Sequence, residues 1–286
     1  ENGDWNLRNT TQYIHQANRK IGIPMLISSR GYGILLSTQS ASLFTENKAG
    51  AYLQTEADYY LDYYFLGGGD MFQVIRDFRR ITGKAAMLPK WAYGYIQSQE
   101  RYESEDEILA IADEFQRRDI GVDCLVLDWM SWPDGLWGQK SFDSSRFPDP
   151  SAMIETLHKK GIHFMLSIWP NMSSTTADYK EFAEKKLLFT GTEIYNAFKE
   201  EGRQLYWQQV EAKLACHGID GWWADSSEPI TPEWEHVIEP EAGQAYNEYV
   251  QDSFAVMPPE KANAYGMYHA KTIWDGQRHR YSQKRV

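Results

Sequence analysis

Cysteine is scarce in this sequence. Cys124 and Cys216 are the only two among 286 residues. Neither a disulfide framework nor a cysteine-rich zinc site is expected, and both are read as free thiols in apolar, buried surroundings. Positive charge is also short: 29 Lys and Arg against 40 Asp and Glu leave a net charge of −11. Nucleic acid or an anionic membrane surface demands a basic face, so this balance argues against either as a partner. No run approaches the ~20 apolar residues of a membrane-spanning helix. No strand-like segment is followed by GxGxxG, which weakens the case for a dinucleotide-binding sheet.

Aromatics, by contrast, are abundant at 14%, with 11 Trp and 18 Tyr. Most single tryptophans pack cores. A large set of them also suits carbohydrate binding, because indole faces lie against the C–H faces of sugar rings.

The chain changes rhythm near Pro89. Before it, "IGIPMLISSRGYGILLST" reads as strand, turn, strand, with Gly31 and Gly33 breaking two β-rich runs. "YYLDYYFLGG" reads as another strand. "DMFQVIRDFRRITGK" reads as a helix capped by Asp70, with Phe72, Ile75 and Phe78 on one face. Residues 1–88 are therefore expected to be the C-terminal part of an antiparallel β-sandwich plus a linking helix. From Trp91 strand and helix alternate. The strands are "WAYGYIQ", "CLVLDW", "IHFMLSIW" and "IDGWWAD". Between them lie a helix opened by a Ser104/Glu107 capping box, a helix opened by Asp149 and Pro150 and closed by Gly161, and a helix over 200–217. Alternation of this kind predicts a parallel sheet with crossover helices. Polar or aromatic residues end the strands: Asp128, Trp169 and Asp225. A β/α barrel gathers its strand ends at one mouth, so 89–286 is expected to be the first half of a (β/α)8 TIM-type barrel.

A carboxylate at the end of a buried strand must be paired, hydrogen-bonded or functional. Asp225 is read either as a helix cap or as a catalytic carboxylate, and Asp128 either as a salt-bridge partner or as its companion. Two carboxylates with aromatics at one mouth fit a polyhydroxylated substrate: carboxylates grip hydroxyls, indoles stack on the ring, and a carboxylate can attack the anomeric carbon.

Together these stretches resemble glycoside hydrolase family 31. "WWADSSEP" is similar to its nucleophile motif W-x-D-x-x-E-P. "YGYIQSQERYESEDEI", "VDCLVLDWMSWPDGLWG", "FDSSRFPDPSAMIETLHKKGIHFMLSIWPNM" and "NAYGMYHAKTIWDGQR" resemble further family segments in the family's order, and "SSRGYGILLST" resembles the end of its β-sandwich. The resemblance implies a retaining exo-α-glycosidase with Asp225 as nucleophile and Glu228 as a supporting residue of the motif. It implies Asp128 as a ligand of sugar hydroxyls and Trp169 as a wall of the cleaved subsite, with Trp223 near the same sugar. Trp132 and Trp137 would line the entrance, or pack against Pro133 and Phe147. The acid/base aspartate is expected downstream of the segment in hand. The chain is thus expected to be part of a larger enzyme, inactive without the rest of the barrel. No cofactor or metal is implied; the partner is a glycoside or oligosaccharide. α-Xyloside, α-N-acetylgalactosaminide and α-glucoside all remain open as substrates, as do an α-transglycosylase and a non-catalytic carbohydrate-binding protein. His269 is read as a structural histidine within a helix. His158 and His163 are read as surface or cap residues outside any metal-ligand set.

Overall fold

The computed structural model describes residues 6–18 and 20–282. They form two compact units: 6–86 with 230–266, and 87–229 with the segment from 267 onward. The first unit therefore includes an excursion of the chain, 230–266, that the alternation of elements gave no reason to assign there.

The first unit opens with β1 (Thr11–Ile14), β2 (Met25–Ser28), β3 (Tyr32–Leu36), β4 (Ser42–Asn47), β5 (Gly50–Thr55) and β6 (Tyr63–Gly67). These make two antiparallel three-stranded sheets, β1-β4-β5 and β2-β3-β6. Gly31 is the turn residue, with φ at 79°, where a side chain costs free energy. Gly33 is not a break. It sits inside β3, where a Cβ would meet Val74 Cγ1 at 2.6 Å, so its missing side chain lets the next helix approach the sheet. That helix, α1 (Met71–Thr82), is capped as expected, Asp70 accepting the Gln73 N–H at 2.8 Å. Its buried residue, however, is Val74. Phe72 and Ile75 are exposed, because contact with β3 selects the side centred on Val74, and Phe72 lies about 200° around the helix from it.

The second unit starts with a 3-10 turn, Lys90–Tyr93, so the expected strand "WAYGYIQ" shrinks to β7 (Ile96–Gln99). Helix α2 (Glu105–Arg117) follows. Ser104 Oγ accepts the Glu107 N–H at 3.2 Å, while the Glu107 carboxylate takes the Glu103 N–H at 2.6 Å. The return arm of the capping box thus lands one residue early. Next come β8 (Cys124–Leu127), α3 (Pro150–Lys159), β9 (His163–Ile168), α4 (Ala177–Glu184), α5 (Glu200–Lys213) and β10 (Gly221–Ala224). The four strands are parallel and lie in the order β7-β8-β9-β10. β8 is buried at every residue, as expected of a parallel strand covered on both faces. Helix α6 (Ala242–Val256) belongs to the first unit, where Tyr246 and Tyr249 pack on Ala41, Tyr13 and Leu43. Helix α7 (Tyr265–Arg280) completes the described elements.

Both cysteines are free. Cys124 is buried, and burial pushes its thiol up to about 12. Cys216 is exposed, against expectation, because the chain after α5 tightens into a 3-10 turn, Ala215–His217, that swings it outward.

β9 is one of the two inner strands of the parallel sheet. Phe164→Ala, at a fully buried position, is expected to lower the unfolding free energy by about 3–5 kcal/mol. Glu155→Ala, in an exposed helical ion pair with Lys159, is expected to change it by less than ~1 kcal/mol. Urea unfolding followed by circular dichroism compares the two.

Candidate active site

Strand register places the candidate residues. Val126 pairs with Met165, Met165 with Gly221, and Ser167 with Trp223. Side chains alternate along a strand, so Asp128, Ser167, Trp169, Trp223 and Asp225 project from one face of the sheet. The other face meets helices: Trp222, one residue along from Trp223, packs edge-on against Trp207 of α5 at 6.0 Å and donates to Gln277 of α7 at 3.1 Å. Asp128 and Asp225 both follow directly on the last residue of their strands. They therefore sit at the same end of the sheet.

The two carboxylates are held in the same way. Asp128 Oδ1 accepts the N–H of Trp129 at 2.7 Å, and Asp225 Oδ1 accepts that of Ser226 at 2.8 Å. In each case the donor residue is left-handed, with φ of 49° at Trp129 and 50° at Ser226. Non-glycine residues adopt that conformation at a cost and cluster at functional sites. A third left-handed residue, Arg101 (φ 53°), follows the end of β7, and its guanidinium lies 5.2 Å from the ring centre of Trp129. Three strand ends thus turn sharply at one rim. The Asp225 N–H is anchored to the Ile168 carbonyl at 3.1 Å, and Ser227 Oγ donates to the Ala224 carbonyl at 2.7 Å.

Asp225 is half-buried, and its carboxyl is raised above the ordinary aspartate range. Desolvation is the main cause; the negative charge of Asp128 adds to it, while the Ser226 N–H opposes it. The influence of Asp128 shows that the two carboxylates share one electrostatic neighbourhood.

The loop after β8 is a packed platform. Met130, Trp132 and Trp169 form its buried centre, with Trp129, Leu136 and Trp137 packed around them. Trp137 bridges Trp132 and Trp169, its ring centre 5.8 and 4.9 Å from theirs. Arg146 ties the loop down, donating to the carbonyls of Met130 at 2.9 Å and Trp132 at 2.6 Å and to the Asp143 carboxylate at 3.0 Å. Gly138 is needed for the return: its φ is 71°, and a Cβ would meet the Asn171 carbonyl oxygen at 2.1 Å. Trp132 and Trp169 are nearly buried, whereas Trp223 is 48% exposed. Glu228 is half-buried, three residues past Asp225.

Arg101, Arg146, Ser167 and Ser226 escaped sequence reasoning. Two arginines in polar loops carry no periodic signal, and only the left-handed backbone marks Ser226. His269 is fully buried in α7, its Nδ1 2.7 Å from Tyr195 Oη; burial lowers its basicity to a pKa of about 3. At the opposite end of the sheet the fold brings His158 and His163 to Asp220, a convergence that their sequence positions conceal.

Known proteins share the sequence and fold of this chain. The profile of the glycosyl hydrolases family 31 TIM-barrel domain matches residues 85–286. An α-xylosidase of Saccharolobus solfataricus is 38% identical over 279 residues, spanning 96% of this chain and 36% of that relative. A family 31 α-xylosidase from a soil metagenome, solved with xylose, superposes with a TM-score of 0.83 at 25% identity, covering 98% of this chain and 41% of the other. A Flavobacterium johnsoniae family 31 dextranase, solved with glucose, shares the fold at a TM-score of 0.83 and 23% identity, over 99% of this chain and 37% of its own. The chain thus spans well under half the length of each.

The raised carboxyl of Asp225 has a consequence for stability. Folding disfavours its charged form, so the residue costs stability once the pH exceeds the unfolded aspartate value of about 3.9, and the cost is complete above the folded value. Asp225→Asn keeps the acceptor for Ser226 and removes the charge. It is expected to unfold at a higher temperature than the native protein at pH 7, with the gain vanishing below about pH 3. Thermal melts across that range check the sign.

Proposed function

We propose a function for a chain that belongs to glycosyl hydrolase family 31: it carries the nucleophile half of a retaining exo-α-glycosidase. The four consecutive parallel strands are the first half of a (β/α)8 barrel, and the two antiparallel sheets belong to a preceding β-sandwich. The observation that carries the reading is the presence of two charge-coupled carboxylates, Asp128 and Asp225, on one sheet face at one rim, beside a tryptophan platform.

Asp225 attacks C1 of the terminal sugar while the aglycone oxygen leaves with a proton from an acid. Water, deprotonated by the conjugate base of that acid, then attacks C1 and releases Asp225. A nucleophile must be ionised, and the Ser226 N–H favours the anion against desolvation. Asp128 receives sugar hydroxyls. Trp223, the most open indole at the rim, offers a face to the sugar. Trp169, Trp132 and Trp137 shape the subsite wall and its entrance more by mutual packing than by exposed area. Glu228 orients the loop behind Asp225. Family resemblance assigns the proton donor to an aspartate downstream of the matched segment.

α-Xyloside is the substrate we favour, because proteins named α-xylosidase include both the 38% identical relative and the sugar-bound structure at 25% identity. Transglycosylation is the second reading, favoured by a relative named isomaltosyltransferase at 27% identity.

Incubating the intact enzyme with a fluorinated α-xylosyl inhibitor and mapping the labelled peptide is expected to place the label on Asp225. A label on another residue overturns the assignment. Asp225→Ala is expected to lower kcat on nitrophenyl α-xyloside by about three orders of magnitude or more. A greater rate on the nitrophenyl α-glucoside or α-N-acetylgalactosaminide would move the substrate and leave the nucleophile in place.

A further inference from the structure

The far end of the parallel sheet holds a group of side chains that the proposed reaction does not use. His158 stands in the last turn of α3, His163 is the first residue of β9, and Asp220 immediately precedes β10. Three separate segments converge there. Their donor atoms, one from each residue, lie within 4.8 Å of one another. His158 Nε2 is 2.7 Å from Asp220 Oδ2, and His163 Nδ1 is 3.3 Å from Oδ1.

Hydrogen bonding leaves the group incomplete. Asp220 Oδ2 also accepts the Phe164 N–H at 3.0 Å, which fixes the carboxylate plane. His163 Nδ1 is a buried atom with no hydrogen-bond partner: at 3.3 Å it is close to Oδ1 but not aligned with it. A buried imidazole nitrogen without a partner is costly and calls for an occupant that the protein atoms do not supply. The ring cannot swing away, because Trp91 stacks on it at 4.8 Å with 23° between planes. His158 remains 39% exposed, leaving a side open to solvent.

We propose that His158, His163 and Asp220 bind a divalent first-row metal ion, zinc in particular, as a structural clasp. Two imidazoles and a carboxylate are a zinc-type donor set, with water filling the fourth position. Donors about 2.0–2.1 Å from a tetrahedral ion are about 3.3 Å apart. The His163 Nδ1–Asp220 Oδ1 pair already has that value; His158, hydrogen-bonded to Oδ2 at 2.7 Å, joins them when its ring proton moves to the other nitrogen. Phe164 N–H and Trp91 hold the carboxylate and the ring in place, the supporting role that tunes such sites. The bound ion joins the end of α3 to the starts of β9 and β10. It therefore stabilises the folded chain without touching Asp128 or Asp225 at the other end of the sheet, and the inference stands independently of the proposed reaction.

The test uses chelator-stripped intact protein and zinc ion alone. Titration calorimetry is expected to show one zinc per chain at micromolar affinity or better, with a rise in thermal midpoint. His158→Ala and His163→Gln are each expected to weaken binding by about a hundredfold and abolish that rise, while His236→Ala, a histidine paired with Glu248 elsewhere, retains both. His158 is exposed enough for its variant to fold, which circular dichroism verifies. Absence of one-to-one binding, or equal affinity in the native protein and His158→Ala, overturns the proposal and leaves a hydrogen-bonded clasp without metal.

Discussion

Two carboxylates at one rim of the parallel sheet, each bonded to the amide of its own next residue, are the constraint on which this end of the sheet turns. Burial withholds water from Asp225, and the charge of Asp128 adds a smaller push in the same direction. Among the described residues no cation pairs with either carboxylate. Each oxygen instead takes the N–H of the very next residue, and that geometry bends Trp129 and Ser226 into the left-handed region. Such residues cost on the order of 1–3 kcal/mol apiece and persist only where the surroundings over-determine them. Here the parallel strands do so, with β8 buried throughout and the Asp225 N–H pinned to β9. Sheet stability is thereby spent on keeping two anions in place.

Asp225 has opposing influences on its charge: burial raises its pKa and the Ser226 amide lowers it. A salt bridge would lower the pKa of Asp225; burial without the Ser226 N–H would raise it further. Partial desolvation opposed by one amide donor sits between these extremes. The same balance explains why the surrounding surface is aromatic. Indoles exclude water and raise the field of each charge without neutralising it. Their packing, with Arg146 fastened to two backbone carbonyls of the same loop, holds that loop in one conformation.

Much of this was legible in the residues, and what escaped did so for identifiable reasons. The apolar run of β8, the caps of α1 and α3 and the strand-end positions of Asp128 and Asp225 are local signals, each set by neighbours within a few positions. The buried side of α1 was misread because Phe72, Ile75 and Phe78 look like a stripe, whereas the side is chosen by Gly33, some forty residues away, which makes room for Val74. Cys216 looked apolar and is exposed, since a 3-10 turn changes which way a residue points without changing its neighbours. The assignment of 230–266 to the first unit depends on Tyr246 and Tyr249 meeting Ala41, a contact no local pattern encodes. Arg101 and Arg146 were invisible for a related reason: an arginine in a polar loop looks solvated until the carbonyls or the ring it meets are known.

The two ends of the parallel sheet solve opposite problems. At the carboxyl end of the strands, backbone amides and indoles hold charges apart and leave them unneutralised. At the amino end, Asp220 is surrounded by donors: the Phe164 amide and the His158 imidazole, with His163 beside them. Asp123, at the neighbouring strand start, accepts the Tyr95 N–H at 3.0 Å and so ties β7 to β8 as Asp220 ties β9 to β10. The same residue type therefore locks register at one end and, at the other, holds the turn that follows its own strand. What separates the roles is the direction of the donors. Cross-strand amides lock an aspartate to the neighbouring strand, while an amide from its own next residue ties the carboxylate to the turn beyond its own strand and not to another strand.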